Sequence, residues 1–310
     1  MDPCRIFCGN ASRPLAEKIC KHLKAPLGDA DVSRFEDGEV SAKYNENIRG
    51  SDVFIVQATG APAENLMELL VMLDAAKRAS ARRVTAVMPY FGYARQDRKD
   101  QPRAPISAKL VANLITVAGA DRGLTMDLHS AQIQGFFDIP LDHVYAAPVM
   151  IEYFAKKKIP DLVVVAPDVG GVKMARAYAK RLGADLVLTD KRRPRPDAVE
   201  IMNIIGDVRG KNAVLFDDVV TTARTLCQAA EAVRENGAKE IYAGVTHGVF
   251  SPGALERIAR SPIRELAITD TVHHESDALP ANVTVLSVAE LLGEAMQRIH
   301  EERSLSSLFV

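Results

Sequence analysis

Short β-branched runs alternate along this chain with longer segments of helical periodicity, and that alternation limits the folds open to it. "CRIFCG", "DVFIVQ", "RRVTAVMPY", "LVVVAP", "ADLVLTD", "AVLFDD" and "EIYAGVTHG" read as strands. "AENLMELLVMLDAAKRAS", "ISAKLVANLITVAGA" and "TLCQAAEAVRENGA" read as amphipathic helices between them. Such alternation builds parallel sheets covered by helices, an α/β architecture. Sheets of this kind bind ligands in the loops at the carboxyl ends of their strands. Chemistry is therefore expected just after the strands.

A chain of 310 residues exceeds one ordinary core, so two domains are expected. A second strand–helix series starts after "DHVYAAPVM" (142–150), which puts the boundary at 145/146. Each half carries a strand that runs into a loop of charged residues, "TAVMPYFGYARQD" and "AVLFDDVVTTART", which suggests two halves of similar architecture. The net charge of −1 gives no global field toward nucleic acid or an anionic membrane, and neither partner is expected. No apolar stretch approaches the roughly 18–20 residues of a membrane span. The N-terminal "MDPCRIFCGN" lacks the basic-then-apolar pattern of a signal peptide or anchor. Cys4, Cys8, Cys20 and Cys227 show neither metal spacing nor a disulfide framework, and read as reduced, buried thiols of a cytoplasmic protein.

Five motifs carry chemistry. In "AVLFDDVVTTARTL" (213–226) a strand ends at Asp217 and Asp218, whose carboxylates can accept hydrogen bonds from sugar hydroxyls. Thr221, Thr222 and Thr225 add hydroxyls, and the helix that follows offers free N–H groups and its positive end to a phosphate monoester. The same loop also fits an ordinary N-capped helix with acidic residues near its start. Arg224 stands where glycine would be the easy choice. "TMDLHSAQIQGFFD" puts His129 just past a strand end, two residues after Asp127, among polar residues that suit a metal or phosphate role better than a core one. "VVVAPDVGGVKMARAYAKRL" places Asp168 at a strand end and Gly170 and Gly171 at a helix start. Paired glycines let backbone approach anionic oxygens, and Asp168 could hold Mg²⁺ directly or through water; a plain turn is the alternative. "DKRRPRPD" (190–197) is a basic loop stiffened by prolines, in which Lys191 and Arg193 can neutralise charge on a transferring phosphoryl group. "RFEDGEV" (34–40) and "GYARQDRKDQPRAPIS" (92–107) hold polar groups beside Phe35 and Tyr93, with Arg95 able to stack on a base and Gln96 to read its edge.

Together these residues resemble one family, the ribose-phosphate pyrophosphokinases, or phosphoribosyl pyrophosphate synthetases. "DLHSAQIQGFF" is similar to that family's signature segment, and "YARQDRKD" followed by "RAPISAKLVAN" to its adenine-nucleotide region. "PDVGGVK", "DKRRPRP" and "SLSSLF" follow in the family's order, so the resemblance spans essentially the whole chain. It implies two tandem phosphoribosyltransferase-like α/β domains, each a mainly parallel sheet flanked by helices. These would be 1–145 and 146–297, with the segment from about 298 to 310 packing back on the first domain. It implies transfer of the pyrophosphoryl group of MgATP to the anomeric hydroxyl of ribose 5-phosphate, giving 5-phosphoribosyl 1-pyrophosphate and AMP for nucleotide biosynthesis. On the resemblance, Asp217, Asp218, Thr221, Thr222, Ala223, Arg224 and Thr225 hold ribose 5-phosphate. Phe35, Asp37, Glu39, Arg95, Gln96 and Asp97 bind ATP, with the residues around Phe35 supplied by a neighbouring subunit. His129 and Asp168 serve Mg²⁺, with His129 near the transferring phosphates, and Lys191 and Arg193 close over them. The assembly implied is a homohexamer built from dimers.

The sequence also departs from the family. The usual loop reads D-D-x-x-D-T-x-G-T, whereas here Thr221 replaces the aspartate and Arg224 the glycine. Orotate phosphoribosyltransferases resemble D-V-V-T-T here and hypoxanthine enzymes carry lysine at the Arg224 position, so the wider fold accepts both changes. The family's phosphate-activated, ADP-inhibited members use a regulatory site matched by Arg49, Ser80, Arg103, Gln134, Asp142, Ser304 and Ser306. Asn47, Ala131 and His143 differ from residues common there, so phosphate activation with altered ADP sensitivity is expected. Two rivals stand beside the synthetase reading. One is a non-catalytic regulatory subunit of the same fold, against which intact Lys191, Arg193, His129 and Asp168 argue. The other is a phosphoribosyltransferase that consumes the product, which has no evident need for "YARQD" or a second α/β half. His273 and His274 are read as a solvated loop.

Overall fold

A computed structural model describes residues 4–192 and 201–308. The first compact unit holds β1 (Cys4–Cys8), α1 (Arg13–Leu23), β2 (Ala30–Arg34), β3 (Val40–Tyr44), β4 (Asp52–Val56), α2 (Glu64–Arg78), β5 (Arg83–Met88), α3 (Ser107–Ala118), β6 (Arg122–Met126) and β7 (Leu141–Val144). The second begins at Ala146 with α4 (Ala147–Lys157), β8 (Leu162–Ala166), α5 (Val172–Leu182), β9 (Asp185–Arg192), β10 (Ile201–Ile205) and β11 (Asn212–Val220). It continues through α6 (Arg224–Glu235), β12 (Ile241–Gly248), α7 (Ala254–Arg260), β13 (Ile263–Thr269) and β14 (Val283–Leu286). From Ser287 onward the chain belongs to the first unit again, through α8 (Ala289–His300).

In the first unit the strands lie in the order β1-β4-β5-β6-β7, every pair parallel. All five residues of β4 are buried, as the near-continuous apolar run of a strand covered on both faces requires. β2 and β3 form a separate antiparallel hairpin, tied to α2 by the Tyr44 hydroxyl, which donates to the Met72 carbonyl at 2.9 Å. α8 packs against α1 and buries Leu292, Ala295, Met296 and Ile299. Its last turn is fastened to the amino-terminal edge of the sheet. The Arg83 guanidinium grips the buried Asp52 carboxylate and donates to the Ile299 carbonyl at 3.0 Å. His300 Nδ1 meets the same carboxylate at 2.8 Å. All four cysteines are free; Cys8, Cys20 and Cys227 are buried as expected, but Cys4, at the start of an edge strand, is exposed.

The second unit holds a seven-stranded sheet in the order β10-β9-β8-β11-β12-β13-β14, parallel except that β10 runs antiparallel to β9. The chain adds β9 and β10 on one side of β8, then crosses over to lay β11 on the other. The order therefore reverses between β8 and β11, and crevices at such switch points are where open α/β sheets bind ligands. Tyr178 of α5 stacks on Phe216 of β11, with ring centroids 3.8 Å apart and planes within 10°. This fixes the helix after β8 against the strand that carries the paired aspartates. Among the described residues, no helix is long and apolar enough to cross a membrane.

Candidate active site

β11 does not stop at its carboxylates. Its pairing with β8 ends at Leu215↔Val165, whereas its pairing with β12 continues to Val220↔Gly248. Asp217 and Asp218 thus stand on a strand held from one side only, beyond the last residue that β8 covers. The Asp218 N–H donates to Asp217 Oδ1 at 2.9 Å. Burial, then the charge of Asp218 and, more weakly, that of Asp168, push the Asp217 carboxyl well above its ordinary value of 3.8. Asp168 lies two residues past β8, where its Oδ1 accepts the Gly171 N–H at 2.9 Å at the start of α5. Three carboxylates are therefore gathered at the switch point. Crowded negative charge of this kind favours a cation or hydroxyl donors at its open side.

The hydroxyl-rich loop follows directly. Its left-handed residue is Ala223 (φ 58°), not Arg224. Arg224 is the first residue of α6, with its side chain exposed and its N–H 3.4 Å from Thr222 Oγ1. The expectation that position 224 favours glycine is therefore corrected: a right-handed helical residue has no need of it, and the conformational demand falls one residue earlier. Thr221 and Thr222 immediately precede the N-terminus of α6, so two hydroxyl side chains and a helix start share one short turn, an arrangement suited to a phosphate. Ser251 and Arg257, which no motif marks in the sequence, bond to the carbonyls of Thr221 and Thr222.

The basic segment also differs from expectation. Asp190, Lys191 and Arg192 continue β9, because β10 pairs with them antiparallel, with Lys191 opposite Met202. Lys191 is thus a strand residue rather than a loop residue. Arg193 lies outside the described residues.

In the first unit the predicted nucleotide residues lie on two excursions from the sheet. The turn between β2 and β3 carries Phe35, 59% exposed, with Asp37 and Glu39; the Glu39 N–H donates to Asp37 Oδ1 at 3.1 Å. The connection from β5 to α3 carries Arg95 and Gln96, both exposed, and Asp97. The Gln96 carbonyl accepts the Ala108 N–H at 3.2 Å, which pins this connection to the first turn of α3. Gln132 Nε2 reaches Asp97 Oδ2 at 3.4 Å, which brings the turn after β6, with exposed His129, to the same end of the sheet.

Of the regulatory candidates, Asn47, Arg49 and Ser80 come together. The Arg49 N–H donates to Asn47 Oδ1 at 3.0 Å and the Gly50 N–H to the Ser80 carbonyl at 2.9 Å. Asp142 is held by Arg122 at 2.5 Å, Gln134 donates to the Ala131 carbonyl at 3.0 Å, and Ser304 and Ser306 share a hydroxyl contact of 3.2 Å. Arg103 is exposed in a left-handed conformation (φ 68°). His143 Nε2 accepts the Leu128 N–H at 2.9 Å and so shapes the turn that leads to His129. His274 is only partly solvated: its Nε2 lies 2.6 Å from the Gly248 carbonyl and its ring contacts Phe250. His273 is exposed.

Parallel sheets flanked by helices, one with three carboxylates and a hydroxyl-rich helix start at its switch point, define an α/β protein of the phosphoribosyltransferase-like class. Residues 4–119 match the model of the N-terminal domain of ribose phosphate pyrophosphokinase, and residues 190–310 match the phosphoribosyl synthetase-associated domain. The ribose-phosphate pyrophosphokinase of Agrobacterium fabrum is 56% identical, over 98% of this chain and 99% of its own. That of Chlorobaculum tepidum is 54% identical, over 99% and 95%. The crystal structure of phosphoribosylpyrophosphate synthetase from Mycobacterium smegmatis superposes with a TM-score of 0.92 at 39% identity, covering 97% of this chain and 100% of that one. The chain belongs to the ribose-phosphate pyrophosphokinase family.

Proposed function

We propose that this protein transfers the pyrophosphoryl group of MgATP to the anomeric hydroxyl of ribose 5-phosphate, yielding 5-phosphoribosyl 1-pyrophosphate and AMP in the cytoplasm. The observation that carries the reading is the trio Asp168, Asp217 and Asp218 beside the Thr221–Thr225 loop, in a chain more than half identical to pyrophosphokinases along nearly its whole length. Asp217 and Asp218 accept the ribose hydroxyls, while the loop's amides and the hydroxyls of Thr221, Thr222 and Thr225 hold the 5-phosphate. Arg95 stacks on the adenine and Gln96 reads its edge, with Phe35, Asp37, Glu39 and Asp97 completing the nucleotide site and the Phe35 hairpin supplied by a second copy of the chain. The sugar hydroxyl is the nucleophile, so the protein's work is alignment, charge neutralisation and exclusion of water. Lys191 and Arg193 neutralise charge on the transferring group, and His129 lies near the same phosphates.

Mg²⁺ fits the donors present. Among the described residues no three His, Cys, Asp or Glu side chains form a metal-holding set, and Mg²⁺ characteristically takes one or two carboxylates with waters and substrate phosphates. Asp168 supplies such a hard oxygen donor, with His129 as the second residue serving the ion. When bound, Mg²⁺ offsets the negative charge of the phosphates.

The test is purified protein with ribose 5-phosphate and MgATP, following AMP release. Turnover is expected. No turnover favours the regulatory subunit; turnover only with a base and preformed phosphoribosyl pyrophosphate favours the transferase. Regulation by phosphate and ADP at Arg49, Ser80, Arg103, Gln134, Asp142, Ser304 and Ser306, in a homohexamer built from dimers, completes the proposal. Activity indifferent to phosphate across the millimolar range would overturn that regulatory part.

A further inference from the structure

Three consecutive carbonyls where β11 leaves the sheet are all taken up from one neighbouring stretch. The Val220 carbonyl accepts the N–H groups of Val249 and Phe250 at 2.9 and 3.2 Å. The Thr221 carbonyl accepts the Ser251 N–H at 2.8 Å and the Ser251 hydroxyl at 3.2 Å. The Thr222 carbonyl accepts the Arg257 guanidinium. Every donor lies between residue 249 and Arg257, midway along α7.

A planar trans peptide points the N–H of each residue away from the carbonyl before it. The N–H groups of Thr221, Thr222 and Ala223 therefore face away from the 249–257 stretch, and none of them donates to an acceptor among the described residues. Successive amides aimed to one side, followed by a left-handed residue, make an anion-binding concavity. The arrangement is under tension at one point. Rotating the Thr222–Ala223 peptide would release Ala223 from its left-handed φ of 58°, which a residue with a Cβ resists. It would also turn a carbonyl toward the anion in place of an N–H. The Arg257 bond to the Thr222 carbonyl opposes that rotation.

We infer that Arg257, with Ser251, is a positioning residue for the substrate phosphate: the two hold the loop's carbonyls back so that its amides converge on the anion. This rests on the reading of the Thr221–Thr225 loop as the ribose 5-phosphate cradle. The Arg257 cation acts through the loop, since its Nη1 donates to the Thr222 carbonyl on the side away from the loop's amides.

The experiment uses the full chain in steady-state assays with each substrate varied in turn. Losing the charged bond in Arg257→Ala raises the KM for ribose 5-phosphate about 10-fold, with kcat and the KM for ATP within about two-fold. Millimolar guanidinium restores the lost affinity, and Arg257→Lys falls between. Ser251→Ala, which keeps the backbone bond, raises the same KM about three-fold and stands in should Arg257→Ala fail to fold. An unchanged KM for ribose 5-phosphate in these variants, while Thr222→Ala raises it, overturns the inference and leaves the cradle in place. Equal losses for both substrates without guanidinium rescue also overturn it. If Thr222→Ala leaves that KM unchanged as well, the cradle reading itself falls.

Discussion

In the first unit the parallel strands succeed one another, β1-β4-β5-β6-β7, without a reversal; in the second the order turns back between β8 and β11. The reversal separates the loops after two adjacent strands and opens a crevice between them. Asp168 and Asp218 lie at this reversal, close enough to Asp217 for both to raise its carboxyl's pKa. The first unit has no such crevice from its topology. Its candidate residues extend instead on a hairpin and on a long connection, with Phe35, Arg95, Gln96 and His129 all exposed. A short turn anchored at both ends can hold a small sugar phosphate within one unit. A set of exposed side chains on excursions suits a larger, flatter ligand that another surface helps to cover.

The sharpest way to break this contrast is Asp217→Asn. Removing a carboxylate proposed to hold the sugar is expected to lower kcat/KM for ribose 5-phosphate at least about 100-fold, measured by AMP release. The same change stabilises the protein. The folded-state pKa of Asp217 is raised, so its favourable contribution is complete below the ordinary 3.8 and is lost as pH rises through the raised value. Asp217→Asn thus raises Tm at pH 8, and the gain shrinks as pH falls toward 3.8. A loss of Tm at pH 8 would mean that the carboxylates are not crowded. Next in size, Phe35→Ala raises the KM for ATP about 10-fold through lost base stacking, with the KM for ribose 5-phosphate unchanged. A rise in both constants would dissolve the division of labour between the units. Smallest is Arg224→Gly. Because Arg224 is helical and exposed, its loss raises the KM for ribose 5-phosphate no more than about three-fold, the scale of one charge near a helix N-terminus. A large gain in activity would show the arginine to be an obstruction.

Much of this molecule was legible in its sequence. The buried "DVFIV" and "LVVVA" runs announce strands covered on both faces, and the placement of Asp168 just after one of them needs only period and turn chemistry. The extent of β11 was not legible, because a strand's end depends on which neighbour continues the ladder: β12 carries it to Val220 where β8 has stopped. Lys191 became a strand residue for the same reason, through β10. His274 reads as solvated until its contacts with Gly248 and Phe250 are seen.

By itself, then, the sequence determined the α/β class, the two-part organisation and the residue types at the phosphate loop, because periodicity and turn composition act locally along the chain. Only the tertiary structure decided that Ala223 rather than Arg224 takes the left-handed turn, that three carboxylates share one crevice, and that Ser251 and Arg257 brace the loop. The last two are contacts between residues distant in sequence, set by strand order and ladder length, and no local pattern encodes them.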